Sequence, residues 1–192
     1  MKALILALLA AGGELPVAMD PAAIPNYQLL RPGLAVAGKP SAQALAKLKE
    51  QGFKTVIDLR SESEGLAEEK ASVEGQGLRY VSVPMTSATF TLADALKVKS
   101  VLDDPGSGPV LLHCAAANRA GGVLAVIEAK SGKSVEQAIE DGKKAGLKSD
   151  SMIEAKNGKS LEQALEEGKK AGLRSDALVE AVKRVLGEPA PK

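Results

Sequence analysis

The sequence predicts an α/β fold in which a mostly parallel sheet is flanked by helices, with a helical hairpin repeat at the C-terminus. Short segments rich in branched apolar residues alternate with helical patterns between residues 34 and 113, and this alternation is typical of a parallel sheet covered by helices. After Arg119 the pattern becomes helical throughout, and one unit of the sequence occurs twice. The length of 192 residues suits one domain, or one domain with an appendage.

Strands and helices are predicted from local signals. Four apolar segments are predicted strands, at residues 34–37, 55–59, 78–83 and 110–113. Ser41 stands where it can cap a helix, and a charged helix is expected from about residue 64 to 73. Thr91 and Asp94 have the spacing of a capping box, which predicts that a helix begins there.

The repeat consists of residues 130–155 and 156–181, which agree at 18 positions. Each copy has a serine at a helix-capping position, Ser134 or Ser160, and its long helix is expected to stop at a glycine, Gly146 or Gly172. We interpret the copies as stacked helical hairpins. Because their charges balance, a solvated outer face is the default interpretation, with a protein-binding surface as the alternative.

The N-terminus has the pattern of a signal peptide. Met1-Lys2 is followed by an apolar stretch over residues 3–11 and then by small residues. This stretch is too short to span a bilayer as a permanent helix. We therefore interpret it as a signal peptide and expect a periplasmic or secreted protein, with a cytoplasmic protein as the alternative. The expected organisation is a signal peptide and lead-in, an α/β domain, and a duplicated helical extension, at residues 1–19, 20–147 and 148–192.

Composition argues against several functional classes. There is no tryptophan, and the chain has 25 basic and 24 acidic residues. Neither the stacking of bases on aromatic side chains nor a positively charged surface that binds nucleic acid is therefore expected. One cysteine excludes an internal disulfide, and one cysteine beside one histidine argues against a zinc site. We therefore expect neither a metal nor a cofactor.

The segment HCAAANRAGG, residues 113–122, is the strongest functional signal. It carries the only histidine and the only cysteine to the end of a predicted strand, and Arg119 follows at the start of a helical pattern. A helix N-terminus and an arginine both stabilise a thiolate, and successive N–H groups in such a turn bind anions. The segment thus indicates a cysteine nucleophile in an oxyanion pocket. The alternative is a small buried cysteine beside a core histidine.

Four segments resemble the bacterial relatives of dual-specificity and tyrosine phosphatases, in the branch described as beta-lactamase-hydrolase-like or sulfurtransferase-like. They are LAVAGKP with the following Ser41, TVIDLR at residues 55–60, HCAAANRAGG, and SVEQAIEDGKKAGL at residues 134–147. The resemblance covers roughly residues 27–147, and it implies a tyrosine-phosphatase-like fold.

The resemblance also implies roles for individual residues. Cys114 would be the thiolate nucleophile, and Arg119 would hold two oxygens of the bound oxyanion through its planar guanidinium. His113 would support the loop by hydrogen bonding. The anion would be bound by the N–H groups of Ala115, Ala116, Ala117, Asn118 and Arg119.

The chain departs from the phosphatase pattern in two ways. Tyrosine phosphatases resemble Cys-x5-Arg-[Ser/Thr], whereas this chain has Cys-x4-Arg with Ala120 next, and a loop of this length resembles those of rhodanese-type sulfurtransferases. Residues 84–92 contain no carboxylate to act as general acid. Asp94 is a possible general acid, with helix capping as its alternative role, and Asp58 and Glu62 are further candidates.

These observations predict a cysteine-dependent enzyme that hydrolyses phosphate monoesters through a cysteinyl-phosphate intermediate. The expected partner is a small oxyanion or a phosphorylated substrate. One alternative is a rhodanese-like sulfurtransferase that carries a persulfide on Cys114. The other is a non-catalytic oxyanion-binding or scaffold module.

Overall fold

A five-stranded sheet lies at the centre of the computed structural model, which describes residues 24–87 and 89–148. The order across the sheet is β1-β2-β5-β3-β4; only β1 is antiparallel to its neighbour, and the other pairs are parallel. The predicted signal peptide and the second repeat copy lie outside the described residues. The strands are β1 (Gln28–Arg31), β2 (Leu34–Ala37), β3 (Thr55–Asp58), β4 (Arg79–Ser82) and β5 (Val110–His113).

Helices cover both faces of the sheet, and the α/β prediction is confirmed. A 3-10 turn, Glu62–Glu64, follows β3. Among the helices of the described segments, none has the length and hydrophobicity to cross a bilayer. The helices are α1 (Ala42–Leu45), α2 (Ala67–Glu74), α3 (Leu92–Asp103), α4 (Asn118–Lys130) and α5 (Val135–Lys144).

Side chains alternate along the buried central strand β5 and so contribute to two cores. Leu112 and Cys114 belong to the cluster that α3, α4 and α5 cover, whereas Leu111 belongs to the cluster beneath α1 and α2. His113 has the same parity as Leu111, and it contacts Glu69 of α2. Neighbouring residues at the end of β5 therefore face opposite sides of the sheet.

The structure differs from the sequence predictions at two places. Strand β1 was not predicted, because it is an exposed edge strand without a clear alternation of apolar and polar residues; Leu29, for example, is 49% exposed. The charged helix expected from Glu64 begins instead at Ala67. Ser61 and Glu64 form a capping box that closes the 3-10 turn, and Gly65 then adopts φ +78°, which interrupts the helix.

Two glycines set the contact between α4 and α5. A Cβ atom on Gly121 would lie 2.3 Å from the backbone nitrogen of Leu147 and 2.5 Å from the carbonyl oxygen of Gly142. A Cβ atom on Gly142 would lie 2.7 Å from the carbonyl oxygen of Gly121. Backbone atoms have little freedom to move aside, so this close approach requires glycine at both positions.

We predict that Gly121→Ala lowers the free energy of unfolding by about 1–3 kcal/mol, because the new methyl group overpacks the contact between α4 and α5. Urea denaturation measures the change. Gly106→Ala is the control, since its Cβ atom would meet a single side-chain oxygen at 3.3 Å. Equal denaturation midpoints for parent and Gly121→Ala would show that the two helices are free to separate.

Candidate active site

The loop that follows β5 is attached to the end of β2. Cys114 is 1% exposed, and its N–H group donates to the Ala37 carbonyl oxygen at 3.4 Å. Gly38 allows the loop to lie this close to the end of β2, because a Cβ atom at Gly38 would lie 2.9 Å from the Pro25 carbonyl oxygen and 3.0 Å from that of Ala115. Cys114 thus lies at the carboxyl end of the central strand, the edge at which open α/β sheets bind ligands.

Backbone hydrogen bonds orient the loop. The Ala115 carbonyl accepts from the N–H of Lys39 at 3.1 Å, and the Ala116 carbonyl accepts from Asn26 Nδ2 at 3.4 Å. Because C=O and N–H point in opposite directions across a trans peptide, the N–H groups of Ala116 and Ala117 point to the other side of the loop. This orientation is the one that the predicted oxyanion site needs.

The first turn of α4 continues the loop. Asn118 and Arg119 are its first two residues, and N–H groups at these positions have no partner within the helix. They carry the partial positive charge of the helix N-terminus, which favours bound anions. Residues 115–119 therefore have the local structure of an anion-binding turn, as we predicted from the sequence; binding itself remains a prediction.

The segment that follows α5 holds this turn in place. Ala117 has φ +66°, and its buried side chain packs against Gly146, where a Cβ atom would lie only 2.7 Å from that of Ala117. The Lys148 N–H donates to Asn118 Oδ1 at 2.8 Å. Residues 130–148 of the first repeat copy thus support the site.

Arg119 lies beside the loop with its guanidinium fixed on one side. Nη1 donates to the Leu59 carbonyl at 3.2 Å, to the Met85 carbonyl at 2.8 Å and to Glu64 Oε2 at 2.8 Å, while Nη2 donates to Glu64 Oε1 at 2.7 Å. The Nε–H and the second Nη2–H are not used by these contacts. They form the edge of the guanidinium that could hold an oxyanion.

The charge of Arg119 is secured by its surroundings. Burial alone would lower the pKa of Arg119, but the hydrogen bonds to Glu64 and the nearby Cys114 outweigh it and raise that pKa. The same influence of Cys114 shows that the guanidinium and the sulfur are electrostatic neighbours. The structure therefore brings together the two residues that the motif predicts as nucleophile and anion ligand.

Glu64 is the functional residue that the sequence analysis missed. Its carboxylate makes the two-point contact with Arg119 and also accepts from the N–H and the Oγ–H of Ser61, both at 2.8 Å. The Arg119 hydrogen bond lowers the pKa of Glu64 from 4.5 to about 2. Glu64 is therefore ionised at neutral pH and serves as an acceptor for Arg119 rather than as a proton donor. The Ser-x-x-Glu spacing directly after a strand was the available signal.

The other carboxylates considered as general acids are separate from this contact. Asp94 forms the predicted capping box of α3: its Oδ2 accepts from Thr91 N–H at 3.0 Å and from Thr91 Oγ1 at 2.6 Å. Glu62 lies exposed on the 3-10 turn. Asp58 is fully buried and bound to Arg60. The role of Asp94 as an acid remains a prediction.

His113 lies in a buried ionic cluster on the opposite face of the sheet. Arg60 Nη2 is 2.6 Å from both Asp58 Oδ2 and Glu69 Oε2, and the Tyr80 hydroxyl donates to Asp58 Oδ2 at 2.8 Å. His113 Nε2 is 2.7 Å from Glu69 Oε1 and 3.8 Å from Asp58 Oδ1. Neither ring nitrogen has an aligned hydrogen bond, so the structure does not reproduce the predicted hydrogen-bonding support from this side chain.

Three members of this ionic cluster have the chemistry of metal ligands. One ligand atom each from Asp58, Glu69 and His113 lies within 4.8 Å of the others. However, Arg60 already contacts both carboxylates and neutralises one of their two charges. A divalent cation would leave this fully buried group with a net positive charge, which is costly. The residues therefore do not fit a divalent metal ion.

We predict that Glu64→Gln lowers the melting temperature at neutral pH and that this difference disappears near pH 2. The folded-state pKa of Glu64 lies below its ordinary value of 4.5, so the ion pair stabilises the folded protein above about pH 4.5 and is lost as the pH falls toward 2. Thermal unfolding across this range measures the effect. Glu62→Gln, an exposed change on the same turn, is the control. A gap between parent and Glu64→Gln that persists at pH 2 would contradict the ion pair.

Curated proteins similar to this chain are described as beta-lactamase hydrolase-like. The protein from Agrobacterium fabrum is 32% identical over 120 residues, which cover 59% of this chain and 28% of the relative. The one from Xylella fastidiosa is 28% identical over 112 residues, covering 56% and 26%. The chain thus spans about a quarter of the length of the curated relatives it matches.

Solved structures with the same architecture include chains described as phosphatases. P. aeruginosa TpbA superposes with a TM-score of 0.55 at 26% identity, covering 81% of this chain and 95% of that one. Tk-PTP in its active form has a TM-score of 0.60 at 15% identity, covering 86% and 99%, which supports the fold alone. The tyrosine-phosphatase-like fold predicted from the sequence is confirmed.

A family model described as DSP-PTPase phosphatase fused to NAD+ kinase matches residues 31–164. The match includes β2, the turn that carries Glu64, the loop with Cys114 and Arg119, and α5. It covers more than half of the sequence and extends into the second repeat copy. The chain belongs to the family of DSP-PTPase phosphatases fused to NAD+ kinase.

Proposed function

We propose that this protein is a cysteine-dependent phosphatase that hydrolyses phosphate monoesters. The observation that carries the proposal is the position of Cys114 and Arg119 on one anion-binding turn at the carboxyl end of β5. The turn offers N–H groups and a helix N-terminus, and Arg119 adds a fixed positive charge. These features suit the three peripheral oxygens of a phosphoryl group above the sulfur.

In the proposed reaction the Cys114 thiolate attacks phosphorus. A sulfur–phosphorus bond forms while the ester oxygen–phosphorus bond breaks, and the leaving oxygen takes the bonding electron pair. The free edge of Arg119 and the N–H groups of residues 115–119 stabilise the charge that spreads over the phosphoryl oxygens. Water then attacks phosphorus, which gives inorganic phosphate and returns the thiolate.

The charge state of Glu64 bears on the choice of substrate. Glu64 is ionised and bound to Arg119, and Asp94 is held in the capping box of α3. Leaving groups that need little protonation, such as phenolates, are therefore the favoured class. TpbA has been crystallised in complex with pTyr, which makes an aryl phosphate the natural probe.

Sulfur transfer is the second candidate. The loop has four residues between cysteine and arginine, and a persulfide on Cys114 would need no general acid. This reading predicts a different covalent product on the same atom. A non-catalytic oxyanion-binding module is the third reading, and it predicts no covalent product.

Intact-mass analysis of the protein separates the three readings. The purified chain is mixed with p-nitrophenyl phosphate or, separately, with thiosulfate, and then quenched. We expect a phosphoryl adduct to accumulate on the parent protein, because Ala120 offers no hydroxyl to help the thiolate leave. The adduct is expected to be absent from Cys114→Ser, which lacks the thiolate. Release of p-nitrophenol by the parent supports the same conclusion. A persulfide after thiosulfate would favour sulfur transfer, and no adduct or turnover in either arm would favour a binding module.

We predict that Arg119→Lys weakens phosphate binding by about tenfold or more, because lysine keeps the charge but loses the planar two-point contact. Calorimetric titration with inorganic phosphate, together with turnover of p-nitrophenyl phosphate, measures the loss. Arg79→Lys is the control, since Arg79 pairs with Asp104 on the surface. Unchanged binding in Arg119→Lys would assign the arginine a purely structural role.

A further inference from the structure

The ionic cluster of Asp58, Arg60, Glu69 and His113 is isolated from solvent. None of the four is more than 3% exposed. The groups that face it come from three strands and one helix: Asp58 and its neighbour Arg60 at the end of β3, Tyr80 on β4, His113 on β5 and Glu69 on α2. Burial and the hydrogen bond to Asp58 raise the pKa of Tyr80, so Tyr80 stays a neutral donor.

Charge balance within the cluster is incomplete without His113. The Arg60 guanidinium compensates one of the two carboxylates, and the other remains. Burying an uncompensated charge is more costly than leaving the two N–H groups of the ring without aligned acceptors. His113 Nε2, at 2.7 Å from Glu69 Oε1 and 3.8 Å from Asp58 Oδ1, is the group placed to supply the missing positive charge.

We propose that Glu69 is a positioning residue of the active site, which holds His113 as an imidazolium and closes a neutral four-charge cluster beneath the loop of Cys114. The proposal rests on the proposed phosphatase function only for the effect of Glu69 on the rate of catalysis. The charge of His113 is a separate property that can be measured without turnover.

Contacts connect the cluster to both functional residues. Leu59 lies between Asp58 and Arg60 in the chain; its N–H donates to the His113 carbonyl at 3.0 Å, and its carbonyl accepts from Arg119 Nη1 at 3.2 Å. Arg60 Nη1 also lies 3.4 Å from the carbonyl oxygen of Glu64, whose carboxylate holds Arg119. The cluster therefore fixes the backbone that orients Arg119.

The cluster also lies next to the nucleophile. His113 precedes Cys114 directly, and its imidazolium would add positive potential on the side of the sheet opposite the sulfur. Burial alone would raise the pKa of Asp58, but the hydrogen bond from Arg60 and the charge of His113 lower it. The position of the His113 ring between the two carboxylates is what favours a charged histidine.

The first arm of the test is NMR spectroscopy of the parent protein. His113 is the only histidine in the chain, so the imidazole ¹⁵N resonances need no assignment. We expect both nitrogens to carry protons at pH 7 in the folded protein and the signal to become that of an ordinary exposed histidine in urea. A neutral ring at pH 7 in the folded protein overturns the proposal, whatever the protein catalyses.

The second arm is Glu69→Gln, with Glu74→Gln as the matched control at an exposed position on the same helix. In Glu69→Gln the charges of Arg60 and Asp58 cancel without a contribution from His113, so we expect a neutral imidazole ring at pH 7. We also expect the ratio of Cys114 alkylation rates at pH 6 and pH 9 to fall by roughly threefold or more, with no change in Glu74→Gln.

Each outcome has one meaning. An imidazolium in the parent, together with a changed alkylation ratio in Glu69→Gln, supports the positioning role. An unchanged ratio in a folded Glu69→Gln protein overturns it, even if turnover is normal. If Glu69→Gln does not fold, Glu69→Asp replaces it, with retention of the imidazolium expected because the negative charge is kept. If turnover is absent but both arms succeed, only the phosphatase function fails.

Discussion

The two-point ion pair between Glu64 and Arg119 is the contact on which the site depends. It joins the turn after β3 to the first turn of α4, and the Leu59 and Met85 carbonyls complete the support of the same guanidinium. The pair fixes Arg119 before any ligand arrives and leaves one edge of the guanidinium unused by these contacts. A bound oxyanion would therefore meet a guanidinium group whose position is already fixed, which reduces the entropic cost of binding.

Close helix packing supports the other side of the loop. Gly121 and Gly142 let α4 and α5 touch through backbone atoms, and Gly146 receives the side chain of Ala117. The described part of the first repeat copy, residues 130–148, is therefore a structural part of the domain. Its sequence is repeated in residues 156–181, which lie outside the described structure, so the interpretation of two stacked hairpins stays a prediction.

The sequence was sufficient to predict the elements whose signals are local. Strand β5, the capping box of Thr91 and Asp94, and the pairing of Cys114 with Arg119 on one turn all follow from short motifs. The partners of Glu64 and Glu69 could not be identified in this way. The Ser-x-x-Glu spacing marks Glu64 as a capping residue, but only the tertiary fold pairs it with Arg119 and places Glu69 beside His113. Arg119 and Glu64 are separated by 55 positions in the chain, and periodicity carries no information over that distance.

The pH dependence of Cys114 alkylation by iodoacetamide, with and without inorganic phosphate, shows whether Cys114 is a thiolate within an anion-binding turn. The chain has a single cysteine, so every adduct reports on this site, and the shape of the profile is compared because burial lowers the absolute rate. Because the sulfur lies beside Arg119 and the N-terminus of α4, we predict that the folded protein reacts at a lower pH than the urea-unfolded chain and that phosphate slows the reaction. A profile identical to that of the urea-unfolded chain and indifferent to phosphate would contradict it.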